Sequence, residues 1–318
     1  MKGNVFSFRW VSLILIIALV LSLALSACGK TENNGDENAN TENDENIIEN
    51  TGRTIKEESL QYPGKNDDWE YDVYENYVVV RKYIGKSTEI VIPETIDNLP
   101  VVKLEGKVFD AEQLYGEEFS STPIQVTIPA SIIEISDSLV DVNKRVVIDD
   151  VTFTSEEKIN FTGSFIFHYC TFDSDTAMDI INHIAGDTIP LGFFDSCDNI
   201  KEITIPDNIN YIKAHAFEFC KSLTKVDLGN TGKVHCKCFD VCSNLKELYV
   251  RNKECAFIDD NGDTSNKILG LYGLYGGSSK QLKDSVHAAV EGLTVFGYKG
   301  STAAALASEI GCSFSPLD

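Results

Sequence analysis

The stretch FFDSCDNIKEITIPDN, residues 193–208, decides how this chain folds. Two later stretches repeat it: AFEFCKSLTKVDLGN (residues 216–230) and CFDVCSNLKELYV (residues 238–250). Aligned on Cys197, Cys220 and Cys242, each cysteine is followed at fixed offsets by three aliphatics. These are Ile200, Ile203 and Ile205; Leu223, Val226 and Leu228; and Leu245, Leu248 and Val250. A phenylalanine stands three residues upstream each time, at Phe194, Phe217 and Phe239. The periods are 23 and 22 residues and the aliphatics follow an L-x-x-L-x-L spacing, the mark of a short structural unit repeated along the chain. In KEITIP, Ile203 and Ile205 alternate with Thr204, so a short strand points two aliphatics inward and Pro206 ends it. The following DNINYIKAHAF brings Ile209, Ile212 and Phe217 back to the same interior. One coil cannot cover its own apolar side; stacked coils cover one another.

Earlier coils carry the same strand-then-proline step. EIVIPETI (89–96) and VTIPASIIEI (126–135) place Pro93 and Pro129 where Pro206 stands, and Phe109 occupies a repeat phenylalanine position. Between 137 and 188 the register is poor. RVVIDDVTF and FTGSFIFHYCTF read there as strands of the same array with insertions. The combined pattern, F-x-x-C-x-x-L-x-x-[IV]-x-[IL]-P with AF upstream, resembles the BspA-type leucine-rich repeat of bacterial surface proteins. LTVFGYKGSTAAALASEIGCSF (293–314) is similar to that family's ending: a strand, a Gly-Ser-Thr turn, a helix and a last strand. Ser301 or Thr302 can cap the helix over 303–310 and Gly311 can stop it. Such an element covers the open end of a stack. Gly229 and Arg251 depart from the pattern, standing where proline is usual.

The N-terminal part does not belong to the array. Lys2 and Arg9 precede an apolar run over 11–25 that is short for a span of ~20 residues, the form of an export signal. Leu25-Ser26-Ala27-Cys28 resembles the bacterial lipobox, which implies that Cys28 becomes the mature N-terminus and carries lipid. Several acyl chains at ~0.8 kcal/mol per buried methylene anchor firmly without a spanning helix. TENNGDENANTENDENIIEN (31–50) holds seven acidic residues, seven asparagines and no basic residue, the composition of a disordered tether. A formal net charge of −22 over 318 residues argues against nucleic acid and against docking of the folded part on anionic lipid.

Nine cysteines invite other chemistry. Without Cys28 eight remain, an even number. Yet Cys197, Cys220 and Cys242 share one column. Parallel neighbours ~4.8 Å apart hold their Cβ atoms too far apart for easy closure of a disulfide, so these read as buried small apolar residues. VHCKCFDVC tempts a metal assignment through His235, Cys236, Cys238 and Cys242. Alignment with IKAHAFEFC puts Cys236 and Cys238 on the inward Ala214 and Ala216, and His235 on the outward Lys213, so the cysteines replace alanine and no metal is expected. GKST (85–88) lacks the earlier glycine and the following helix of a phosphate loop. DDNGDTSNK (259–267) lacks the sixth-position glycine and closing glutamate of a calcium loop. His168 and Cys170, two apart on an expected strand, share a face but have no marked orienting group or oxyanion site.

The expectation is therefore a repeat solenoid dominated by short β-strands with a small strand-helix-strand cap. Residues 1–27 form the signal and 28–66 the tether. The array occupies 67–292, irregular over 137–188, and the cap 293–318. Outward residues of the strands form columns on one concave sheet: Val91, Thr127, Thr204, Asp227 and Tyr249, and beside them Glu89, Gln125, Glu202, Lys225 and Glu247. Glu202, Thr204, Lys225, Asp227, Glu247 and Tyr249 are the candidate binding surface. The implied protein is a monomeric, lipid-anchored, cell-surface adhesion module without enzymatic activity, cofactor or metal, its partners extracellular or envelope proteins or glycans. A scaffold for partners of the same cell is the alternative, and an enzyme in the irregular segment a third.

Overall fold

The structure is a computed structural model that describes residues 53–110, 113–114, 122–140, 146–258 and 291–318. Cys28, the acidic run at 31–50 and the loop at 259–267 lie outside the described residues. The chain enters through an antiparallel meander of β1 (Tyr62–Lys65), β2 (Trp69–Val73) and β3 (Val78–Tyr83). β1 falls inside the span that composition assigned to the tether. Ahead of it, Arg53 reaches the carbonyls of Ala130 (2.6 Å) and Lys158 (3.0 Å), so ordered packing starts before residue 67.

Each later coil lays one short strand on each of two walls. β4 (Glu89–Val91) opens the first wall. β5 (Thr95–Ile96) turns back onto β6 (Leu99–Glu105), which joins β3 in parallel and carries the meander's sheet into the second wall. β7 (Ile124–Ile128) and β9 (Ile148–Phe153) extend the first wall; β8 (Glu134–Ser136) and β10 (Asn160–Phe161) extend the second. After the helix α1 (Ser174–Asn182), the second wall resumes with β11 (Thr188–Ile189), β13 (Tyr211–Ile212), β15 (Lys233–His235) and β17 (Ala256–Ile258). The first wall resumes with β12 (Glu202–Thr204), β14 (Lys225–Asp227), β16 (Glu247–Tyr249), β18 (Thr294–Gly297) and β19 (Ser313–Pro316). All pairings beyond the meander and the β5–β6 turn are parallel, as successive windings of one hand require. The helix α2 (Thr302–Ile310) packs on β18 and β19 through Ala303, Leu306, Ala307 and Ile310. Ser301 holds its N-cap position with no side-chain cap bond, and Gly311 ends it in the left-handed region at φ +72°.

The repeat phenylalanines and cysteines build a third side, a turn edge that joins the second wall to the first. The rings of Phe167, Phe194, Phe217 and Phe239 stack in succession, with centroids 5.9, 5.5 and 5.4 Å apart. Each cysteine thiol donates to the phenylalanine carbonyl of the preceding coil: Cys197 to Phe167 at 2.9 Å, Cys220 to Phe194 at 3.2 Å and Cys242 to Phe217 at 3.0 Å. This is why cysteine suits the position. It is small enough for the stack and carries a weak donor for a buried carbonyl. All three are free thiols, and burial pushes them well above the usual thiol range.

Two expectations for the irregular middle are corrected here. RVVIDDVTF does contain β9, but of FTGSFIFHYCTF only its first residue, Phe161, is strand, as the second residue of β10. The remainder forms another turn, with Phe167 and Cys170 in the columns just described. His168 and Cys170 therefore lie on the turn edge and not on one face of a strand. Further along, His235 is buried at 5 % exposure and not outward. Its Nδ1 accepts from the Lys237 amide at 3.2 Å, while Cys236 and Cys238 are buried as expected.

Candidate binding face

The first wall presents its outward residues in register. Glu202 lies beside Lys225, Lys225 beside Glu247, and Glu247 beside Thr294. The next column runs Thr204, Asp227, Tyr249, Phe296 and Ser315. Between them, Ile203, Val226, Leu248 and Val295 point into the core, each 1 % exposed or less. In the other block, Glu89, Gln125 and Asp150 form one rung series and Val91, Thr127 and Thr152 the other. The columns predicted as continuous are thus two blocks, because α1 stands between β9 and β12.

Helix α1 occupies the place of one strand. Its sequence SDTAMDIIN buries Thr176, Ala177, Ile180 and Ile181 on one stripe, and Asp173 caps it by accepting from the Thr176 amide at 2.9 Å. In the later coils, the amides that begin a first-wall strand donate to the previous coil: Lys225 to Lys201 and Glu247 to Thr224. β12 has no such neighbour. Its Lys201 and Glu202 amides donate instead to Ser174 Oγ, both at 3.0 Å, and the Thr204 amide meets Met178 Sδ at 3.4 Å. On the other flank, Thr176 Oγ1 donates to Asp150 of β9 at 3.3 Å. The helix seals an interrupted sheet with side chains where a strand would use backbone, so few polar groups are orphaned.

The six predicted residues differ in availability. Glu202 and Thr204 are exposed; Lys225, Glu247 and Tyr249 are half-buried. Lys225 Nζ lies 3.3 Å from Glu202, and that hydrogen bond raises its pKa. Tyr249 donates to Glu247 at 3.1 Å and stacks on Phe296, centroids 4.3 Å apart and 8° from parallel. Asp227 does not offer its carboxylate: it is 8 % exposed and receives Nε and an η-nitrogen of Arg251 at 2.5–2.9 Å. Its Oδ1 also accepts from the Gly229 amide at 3.0 Å.

Arg251 and Phe296 are the residues that sequence reasoning missed. Arg251 sits where proline is usual, and Gly229 one coil earlier does too. The two departures meet at Asp227. Gly229 has φ +52°, and a Cβ there would stand 2.6 Å from the Ile205 carbonyl oxygen, so only glycine fits. Arg251 also lies 5.6 Å from the Tyr249 ring centroid, with Lys225 at 6.0 Å, which places two cations around one aromatic. The result is a mixed polar and aromatic patch pre-set by its own ion pairs.

Comparison with known proteins agrees with this architecture. Residues 165–261 match the family described as BspA type leucine rich repeat region, in 6 copies. No curated protein matches the chain. Among solved structures, a leucine rich cell surface protein from Faecalibacterium prausnitzii is 18 % identical, with 64 % of this chain and 52 % of that one covered at a TM-score of 0.50. This chain therefore spans about half the length of that protein, and the likeness is one of fold. A leucine-rich repeat protein from Bacteroides ovatus (15 % identical, 74 % and 71 % covered, TM-score 0.29) is similar more loosely. So is one from T. pallidum (18 %, 62 % and 64 %, TM-score 0.23).

Proposed function

Because residues 165–261 are a BspA-type leucine-rich repeat region, we propose that this chain is a surface-displayed binding module. Its first wall, from β12 to β19, recognises a protein or glycan of the envelope or of the surroundings. The lipobox-like Leu25–Cys28 and the acidic run at 31–50 supply the anchor and the leash in this reading. The observation that carries it is the register of the wall. Glu202, Thr204, Lys225, Glu247, Tyr249 and Phe296 come to one surface from strands that pair in unbroken parallel order. An extended face of this kind suits an extended ligand, and stacked aromatics beside cations and carboxylates suit both peptide and sugar. Among the described residues, no helix is long and apolar enough to cross a membrane.

The test is photo-crosslinking on intact cells. A photoreactive amino acid at Glu202 or at Glu247 is compared with one at Lys213, exposed beyond the end of second-wall strand β13. The proposal expects discrete adducts from the first wall and none from position 213. Equal capture from all three positions, or none from any, overturns it. Mass spectrometry of the adducts tells a host or neighbouring-cell ligand from a partner of the same envelope.

A further inference from the structure

The position after each turn-edge phenylalanine is occupied by an ionisable residue. These are His168, Asp195, Glu218 and Asp240, one per coil. Their backbones are joined rung to rung. Tyr169 donates to the carbonyl of Asp195 (3.0 Å), Ser196 to that of Glu218 (2.7 Å) and Phe219 to that of Asp240 (2.9 Å). Successive side chains are therefore held about one strand spacing, ~4.8 Å, apart. His168 Nδ1 faces Asp195 at 3.2 Å and His215 Nδ1 faces Glu218 at 2.6 Å. Both imidazole nitrogens are shut off from water. Among the described residues Asp240 is the last of the column. Glu218 faces it from the preceding coil, His215 lies across that neighbour, and Lys237 faces it from its own coil.

Glu218 and Asp240, stacked on adjacent turns and largely shielded from solvent, cannot both stay ionised without cost. We propose that this column is a proton-operated latch on the turn edge. It takes up protons between neutral and mildly acidic pH, and uptake tightens the coils from Phe167 to Cys242.

The direction follows from linkage. Burial, and then Glu218, raise the Asp240 carboxyl to about 6 from an ordinary 3.8, and burial likewise raises Glu218. Within the interval from the ordinary value to about 6 the folded chain binds more protons than the unfolded one. Stability from these groups therefore grows as pH falls from 7 toward 5 and is lost as pH rises through 6. The backbone gives that change a local meaning. Tyr169, Ser196, Phe219 and Val241 stand next in line with φ of 56–59°, a left-handed conformation that side chains other than glycine resist. Two of them, Tyr169 and Phe219, are large and exposed. Relief of repulsion beside these turns steadies the strained residues that the edge presents to solvent.

The experiment is thermal unfolding of the full chain at pH 7.5, 6.5 and 5.5, with Asp240→Asn and, as a control on an exposed carboxylate of β4, Glu89→Gln. The latch predicts a midpoint that rises by several degrees from pH 7.5 to 5.5 in the parent and in the control. Asp240→Asn starts higher at pH 7.5 and loses more than half of the rise. A parent midpoint that is flat or falls over this interval overturns the proposal, and so does an Asp240→Asn profile parallel to the parent's. A measurement without substitution is amide exchange in the parent, corrected for intrinsic rates. Ser196 and Phe219 should exchange several-fold more slowly at pH 5.5 than at 7.5, and unchanged protection there contradicts the latch.

Discussion

At the scale of single residues, most of this chain obeys the repeat and a few positions answer to one another instead. Gly229, Asp227 and Arg251 show how. Loss of proline at 229 and 251 frees one backbone turn and supplies one guanidinium, and both are spent on a single buried carboxylate. The sequence shows the two departures but not that they converge, because the contact spans a coil and depends on a side chain reaching backwards. Arg251→Ala leaves Asp227 buried without its ion-pair partner. We expect a loss of about 2–3 kcal/mol in denaturant unfolding, below the full figure for a buried pair because Arg251 is itself 47 % exposed. Asp227→Asn with Arg251→Ala should recover part of that loss, since the neutral amide no longer leaves a charge unpaired. If Arg251→Ala is neutral, the bidentate pair contributes nothing and the patch is not pre-set. His235 teaches the same lesson in reverse. Alignment with Lys213 placed it outside, but a histidine can turn inward and accept an amide where a lysine cannot.

At the scale of elements, the repeat was legible wherever phenylalanine, cysteine and the aliphatic triplet all survive. It failed at the coil of Phe167 and Cys170 for a definable reason. The segment after Cys170 has helical periodicity, with Ala177, Ile180 and Ile181 on one stripe, so no strand-then-proline step follows. The coil lengthens, and a reader who looks for the 22–23 residue period loses register. Once α1 is seen as a substitute strand, the irregular middle becomes part of the array. Its sealing role makes a prediction. Ser174→Ala with Met178→Ala removes the acceptors for the Lys201, Glu202 and Thr204 amides. Exchange at Lys201, Glu202 and Thr204 should quicken about fivefold, from the roughly 1 kcal/mol that a typical hydrogen bond contributes, while β16 amides stay protected. If exchange is unchanged, water or backbone serves those amides and the helix is only an insertion.

At the scale of the whole molecule, stacking organises everything else. Each coil exposes one aliphatic row that only its neighbours can cover, so the described residues share one continuous core along the array, from Trp69 to Ile310. The antiparallel meander closes one end of the stack and the β18–α2–β19 unit the other. The second closure was readable from its Gly-Ser-Thr turn and alanine-rich helix. The first was not, because nothing in the alternation of β2 and β3 marks an end as opposed to another coil. The candidate face was legible in its columns and register, since period-two alternation fixes which residues point outward. Its break at α1 and the withdrawal of Asp227 were not, because both depend on contacts between coils. The claim beneath the whole account is that coils 22–23 residues apart lie directly on one another. Methyl–methyl nuclear Overhauser contacts in isoleucine-, leucine- and valine-labelled protein test it most directly. The account predicts an unbroken chain of contacts from Ile203 to Val226 to Leu248 to Val295, with a parallel chain from Ile189 to Ile212 to Val234. Contacts confined to near neighbours in sequence, or linking these methyls in another order, would contradict it.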